Sequence, residues 1–124
     1  MTLQKKDPHT NLGRFELSLN VKDIGKSWQF YKQLGFERLG GSIASKCITI
    51  QFGNCRISLY QGYINNNLLN FTGGDIDGLL ARLHGHNIPL KREAAEGDDG
   101  SKGALVEDPD GNEIYFVFHP DERL

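Results

Sequence analysis

The sequence predicts an α+β fold in which one order of elements, a strand, a helix and three further strands, is laid down twice. Three observations carry this reading. A hydrophobic period of two gives way to a helical period at Asp23, the same switch recurs at Asp75, and strand-like segments between glycine-containing turns follow each helix. Asp23–Ile24 and Asp75–Ile76 stand 52 residues apart, an offset that also places Leu17 and Leu19 on Leu69 and Phe71. It sets Glu16, Ser18 and Asn20 on Leu68, Asn70 and Thr72, so the chain reads as a diverged duplication.

In the first half, Phe15, Leu17, Leu19 and Val21 alternate with Glu16, Ser18 and Asn20, which predicts a strand with one apolar face. Asp23 is placed to cap a helix, since its carboxylate can accept an orphan amide hydrogen of the first turn. Ile24, Ser27, Tyr31 and Leu34 then form the face expected to lie on the sheet, and Gly35 is the expected left-handed cap. Trp28 departs from that stripe and is expected to cover an interface, a cavity rim or the tail. A strand over Phe36–Gly40 should end at the flexible Gly40–Gly41–Ser42, and Lys46–Phe52 and Cys55–Tyr60 should form a hairpin about Gly53–Asn54. Gln61–Asn67, rich in glycine and asparagine, reads as a connector that either links the halves or closes over a ligand with Tyr63.

In the second half, Ile76, Leu79, Leu80 and Leu83 form a helical stripe expected to end at Gly85. Strands are expected at Ile88–Arg92, Gly103–Glu107 and Glu113–Phe118, with a charged loop over Glu93–Lys102. Asp108–Pro109–Asp110–Gly111 is a turn signal, and its two aspartates are expected to be structural rather than paired acid catalysts.

Composition narrows the functional classes. The chain of 124 residues carries 14 basic and 16 acidic residues, a net charge of -2 that provides no basic field for nucleic acid. There is no apolar run of about twenty residues, so no membrane span is expected. Met1–Asn11 reads as a polar tail, too polar for a secretory signal, which makes a cytoplasmic location the expectation. Cys47 and Cys55 are expected to be small buried thiols, or to pair if they sit opposite each other on neighbouring strands. Neither has a local histidine that would make it a nucleophile, and Gly73–Gly74 lacks the remainder of a phosphate loop. His84 and His86 flank Gly85, where a surface or capping role at the helix end accounts for them without a metal.

Val21-Lys22-Asp23-Ile24 with Ser27, Phe30-Tyr31, Leu34-Gly35-Phe36 and, far downstream, Asp108-Pro109-Asp110-Gly111-Asn112 before a final apolar strand resemble the vicinal oxygen chelate superfamily of glyoxalase I, bleomycin resistance proteins and extradiol dioxygenases. The resemblance spans about Leu12–Pro120. It implies a single domain, 12–120, of two βαβββ modules at about 12–62 and 68–120, whose curled mixed sheets enclose a cavity. It also implies a homodimer.

In metal-dependent relatives, one side chain from each of four strands, usually histidine or glutamate, meets a divalent ion. Those family positions fall at Glu16, Ser58, Leu68 and Tyr115, and only Glu16 keeps a usual ligand type, so neither metal nor other cofactor is expected. Strand alternation and the resemblance together give Glu16, Ser18, Asn20, Arg56, Ser58, Tyr60, Leu68, Asn70 and Tyr115 as ligand-pocket residues. Glu16 is open to three readings: a base, a cation-binding carboxylate or a hydrogen-bonded remnant. Arg56 could pair with Glu16, bind an anionic ligand or reach solvent, while Tyr60 and Tyr115 either recognise a planar ligand or fill space. The function expected is metal-independent binding of a small amphipathic or aromatic molecule. The alternatives are a metal-dependent lyase, isomerase or dioxygenase with an atypical site, and a non-catalytic structural or interaction module.

Overall fold

The computed structural model describes residues 12–96 and 100–119. Its elements are β1 (Gly13–Asn20), α1 (Ile24–Leu34), β2 (Glu37–Ser42), β3 (Cys47–Phe52), β4 (Cys55–Tyr60), β5 (Leu68–Gly73), α2 (Ile76–Gly85), β6 (Arg92–Glu96), β7 (Lys102–Glu107) and β8 (Glu113–Phe118). The βαβββ order thus occurs twice, in mixed sheets. The tail expected over 1–11 lies outside the described residues. Two compact units result: residues 15–69 form the first, and the second takes Asn70 onward together with the entry to β1.

In the first unit the strands lie in the order β2-β3-β4-β1, with β1 parallel to β4 and the other pairs antiparallel. Register decides which side chains share a face. Leu17 and Leu19 stand opposite Ile57 and Leu59, which in turn face Ile50 and Ile48, so one surface of this sheet is continuously apolar. Helix α1 covers it. Ile24, Ile48, Ile50, Ile57 and Leu59 form the buried core, with Leu17, Leu19, Val21, Trp28, Tyr31 and Phe36 packed around them. Full burial of each large aliphatic contributes about 1.5–3 kcal/mol relative to exposure.

The caps of α1 follow from local chemistry. Asp23 Oδ1 accepts the Lys26 amide hydrogen at 3.1 Å, and Gln61 Oε1 accepts that of Ile24 at 2.9 Å. At the other end Gly35 donates to Lys32 O and Phe36 donates to Tyr31 O, while the rings of Tyr31 and Phe36 meet edge to face at 5.4 Å. This is a Schellman cap with its hydrophobic contact.

Three expectations for this unit need correction. The buried stripe of α1 is Ile24, Trp28 and Tyr31 rather than one ending at Leu34, which is 57% exposed. Strand β2 runs through Gly40 and Gly41, because pairing with β3 holds both glycines in the ladder at the cost of a register shift between Arg38 and Gly40. Cys47 is only half-buried and Cys55 is exposed, and both are free thiols. Cys47 pairs with Tyr60 and Cys55 with Phe52, so the cysteines occupy opposite ends of one hairpin and cannot bridge.

The second unit orders its strands β5-β8-β7-β6. Ala104 faces Phe116 and Val106 faces Ile114 across β7 and β8, and these side chains pack with Ile76, Leu79 and Leu83 of α2, joined by Phe71, Leu80, Leu90 and Phe118. Phe71 and Phe116 stack at 5.5 Å. Asp75 caps the helix through Gly78 N at 3.0 Å. The helix ends at Gly85 as expected. Beyond it Asn87 takes the left-handed conformation with φ 57°, which asparagine tolerates, and Ile88 N donates to Leu83 O at 2.9 Å to close the end. The strand expected at Ile88–Arg92 instead occupies Arg92–Glu96, inside the stretch expected to be a loop. Just before it, Lys91 Nζ lies 2.7 Å from Glu107 and 2.6 Å from Glu113, two carboxylates directly opposite each other on β7 and β8. Among the described residues no helix is long and apolar enough to cross a membrane.

Candidate functional site

The second surface of the first unit's sheet is polar because it carries the alternate residues of each strand. Ser18 stands opposite Ser58, Asn20 opposite Tyr60, Thr49 opposite Ser58, Gln51 opposite Arg56 and Cys47 opposite Tyr60. Glu16 belongs to the same set by alternation along β1. Ser18 and Ser58 are each 1% exposed, so their hydroxyls require partners. Ser58 donates to Glu16 Oε1 at 2.5 Å, and Thr49 Oγ1 lies 2.9 Å from Ser58 Oγ. A serine has one hydroxyl hydrogen, so with that hydrogen on Glu16, Thr49 must donate to Ser58. The chain Thr49→Ser58→Glu16 therefore has one direction, and it ends on a carboxylate.

Two ionisable neighbours feel this arrangement. Burial pushes the Cys47 thiol above its ordinary value, and the negative charge of Glu16 pushes it further. Tyr60 is raised chiefly by burial, next by the thiolate that Cys47 forms only at alkaline pH and, more weakly, by Glu16, while the Ser58 hydroxyl acts in the opposite direction. Both groups keep their protons at neutral pH. Arg56, which was open to pairing with Glu16, instead donates from Nε to Gln51 Oε1 at 3.0 Å.

The connector is tied down rather than slack. Asn20 N donates to Asn67 Oδ1 at 2.9 Å, Asn20 Nδ2 to Asn65 O at 3.3 Å, and Tyr63 Oη to Ser45 O at 2.8 Å. Tyr60 and Tyr63 meet edge to face at 6.0 Å. The connector therefore forms an aromatic and amide rim at the end of the polar surface where Asn20, Cys47 and Tyr60 lie.

Of the predicted pocket residues, Glu16, Ser18, Asn20, Arg56, Ser58 and Tyr60 share this one surface. Leu68 opens β5 within the first unit's residues, while Asn70 and Tyr115 belong to the second unit. Tyr115 lies across its own sheet, since a Cβ at Gly103 would clash with its phenol oxygen. Thr49 and Cys47 lie outside the sequence-predicted pocket set, because β3 carries none of the family metal positions. Their alternation with Ile48 and Ile50 was the available signal.

The donor set does not fit a four-ligand divalent site. Leucine 68 cannot coordinate, Ser58 directs its hydrogen to Glu16, and neutral tyrosine is a poor ligand at the fourth family position. No cluster of three histidine, cysteine, aspartate or glutamate side chains occurs among the described residues. His84 and His86 are exposed at the end of α2, where His86 N donates to Arg82 O and His84 O accepts from Asn87 N. A shallow depression of the second unit lies over Gly78, Ala81, Arg82, Gly85 and His86, and a narrow crevice with no room for a water molecule runs beside Phe71, Ile76, Leu79 and Phe116. Neither contains a predicted pocket residue.

No family model matches the chain, and no curated protein sequence does. Solved structures do. A glyoxalase/bleomycin resistance protein/dioxygenase superfamily member from Vibrio splendidus 12B01 has a TM-score of 0.65 at 21% identity, covering 85% of this chain and 97% of its own. A protein from Legionella pneumophila described as an NAD-dependent benzaldehyde dehydrogenase gives 0.69 at 16% identity over 85% of this chain and 98% of its own. A Streptomyces coelicolor methylmalonyl-CoA epimerase variant, in complex with 2-nitronate-propionyl-CoA, gives 0.63 at 16% identity over 89% of this chain and 96% of its own. Such different activities on one architecture select none for this chain, and identities this low establish the fold alone. The chain has the vicinal oxygen chelate fold, the architecture of the glyoxalase, bleomycin-resistance and dioxygenase superfamily.

Proposed function

We propose that the protein binds a small amphipathic or aromatic molecule without using a metal, and that the polar surface of the first unit supplies the polar half of the site. The directed chain Thr49→Ser58→Glu16 carries this reading: a hydroxyl network that ends on a half-buried carboxylate beside tyrosines is suited to orienting a ligand. The Streptomyces coelicolor epimerase, solved with an organic ligand, supports small-molecule binding on this fold. Leu68, at the start of β5, would extend the lining, with 12–120 as one domain. The chain would work in the cytoplasm as a homodimer, its exposed edge strands β2 and β6 offering pairing surfaces.

Thermal-shift screening against small aromatic and amphipathic compounds, followed by light scattering at micromolar concentration, tests both parts. Saturable stabilisation that Ser58→Ala weakens is expected for binding. The mass of one chain in solution would remove the dimer, and absence of saturable stabilisation would remove the binding assignment. Stoichiometric uptake of zinc, nickel, manganese or iron, lost in Glu16→Ala, would replace metal-independent binding with a metal site.

A further inference from the structure

Resting on that reading of the first unit's polar surface, we propose that its ligand is an organic ammonium borne on an aromatic body, with the N–H groups on Glu16 and the charge beside Tyr60 and Tyr63. Among the described residues, Glu16 has one hydrogen bond, from Ser58 to Oε1, and no ion-pair partner. Its Oε2 remains available as a charged acceptor. The hydroxyl chain behind it supplies hydrogen bonds but no charge, so it leaves the carboxylate's charge uncompensated. Cys47 and Tyr60, both proton-bearing at neutral pH, add no competing negative charge.

Of the flanking cations, neither Arg56 on β4 nor Arg14, two residues back along β1, forms an ion pair with Glu16, and Arg56 has its Nε on Gln51 Oε1. A ligand anion would meet the Glu16 charge, whereas a neutral alcohol would satisfy one oxygen without compensating that charge. The rim adds a second attraction. Tyr63 is 62% exposed, fixed through its hydroxyl to Ser45 O and set edge to face against Tyr60. Tyr60 lies close enough to feel the Glu16 charge, and an aromatic face attracts an ammonium in addition to the attraction of the carboxylate. Both features favour a cation joined to an apolar ring system.

The test is calorimetric titration of the full chain with three naphthalenes of similar shape: 2-naphthylmethylammonium, 2-naphthylmethanol and 2-naphthoate. The ammonium is expected to bind saturably and at least about tenfold more tightly than the alcohol, as a charge-assisted hydrogen bond allows. That preference should vanish in Glu16→Gln, which keeps an oxygen for Ser58 and so preserves the local fold, and Tyr63→Leu should weaken the ammonium more than the alcohol. Arg56→Gln, which removes a like charge from the same surface, should tighten ammonium binding. Equal affinities for ammonium and alcohol, or a preference untouched by Glu16→Gln, would overturn the proposal while leaving small-molecule binding standing. Tighter binding of naphthoate would overturn it in favour of Arg56. Failure of all three compounds to bind would overturn it together with the binding assignment on which it rests.

Discussion

Ser58 on β4 donates its hydroxyl hydrogen to Glu16 on β1 at 2.5 Å, joining parallel neighbouring strands through side chains as well as backbone. Ser58 is 1% exposed, so removing its hydroxyl leaves Thr49 without its acceptor and Glu16 without its donor in a place water cannot easily fill. Ser58→Ala should cost about 1–3 kcal/mol of stability. The double variant with Glu16→Gln should reveal a coupling of about 0.5–3 kcal/mol. Urea midpoints for the four proteins check both values, and additivity of the two substitutions would show that the bond does not support the fold.

The same carboxylate should set the reactivity of Cys47. Burial and the Glu16 charge both disfavour its thiolate, so in a Cys55→Ser background the rate of alkylation by iodoacetamide should rise at higher pH than for an ordinary thiol. Glu16→Gln removes one of the two causes and should move that rise to lower pH. The linked stability has a definite sign. A thiol whose folded value is raised contributes stability that is full below the unfolded value and is lost as pH climbs through the folded one. An alkylation profile unchanged by Glu16→Gln would separate the two residues.

Where sequence alone located structure, one local signal was sufficient. The alternation from Phe15 to Val21 and the cap at Asp23 needed no tertiary information, and both match the observed strand and helix. The stripe of α1 did need it. At about 100° per residue, Trp28 lies only about 40° from Ile24 around the helix, while Leu34 lies about 80° away, so angular position outweighed the polar–apolar contrast in a helix of three turns. Strand β2 was truncated because glycine flexibility is local, whereas the hydrogen bonds holding Gly40 and Gly41 come from β3. The polar surface was half legible for a related reason. Alternation assigns a side chain to a face, but that Ser58 would join Thr49 to Glu16, and that Arg56 would turn to Gln51, depends on the lateral register of three strands.

Gly103 and Tyr115 make a separate prediction for the second unit. The ring occupies the space a side chain at 103 would need, its phenol oxygen standing where a Cβ would clash. Because the obstacle is the far end of a side chain, Gly103→Ala should fold and displace the tyrosine rather than disrupt β7. Altered aromatic-ring proton shifts for Tyr115 with retained backbone amide shifts are expected by NMR. An unmoved ring would show that the backbone yields instead.

The turn between β7 and β8 should be a folding device and not an acid pair. Asp108 Oδ1 accepts the amide hydrogens of Asp110 at 2.9 Å and Asn112 at 2.8 Å, its Oδ2 accepts from Asn112 Nδ2 at 2.9 Å, and Gly111 adopts φ 86°. These bonds, those from Asn112 foremost, hold the Asp108 carboxyl below its ordinary value. A carboxyl lowered by folding contributes stability that is present above its unfolded value and is lost as pH falls through its folded value. Acid titration of unfolding should therefore lose one component in Asp108→Asn. Gly111→Val should cost more than about 1 kcal/mol at any pH, since a β-branched side chain is strained at that φ even with open space around it. Asp110→Asn should leave both stability and ligand affinity nearly unchanged. A variant at Asp110 that stayed folded but lost binding would move this turn from the scaffold into the site.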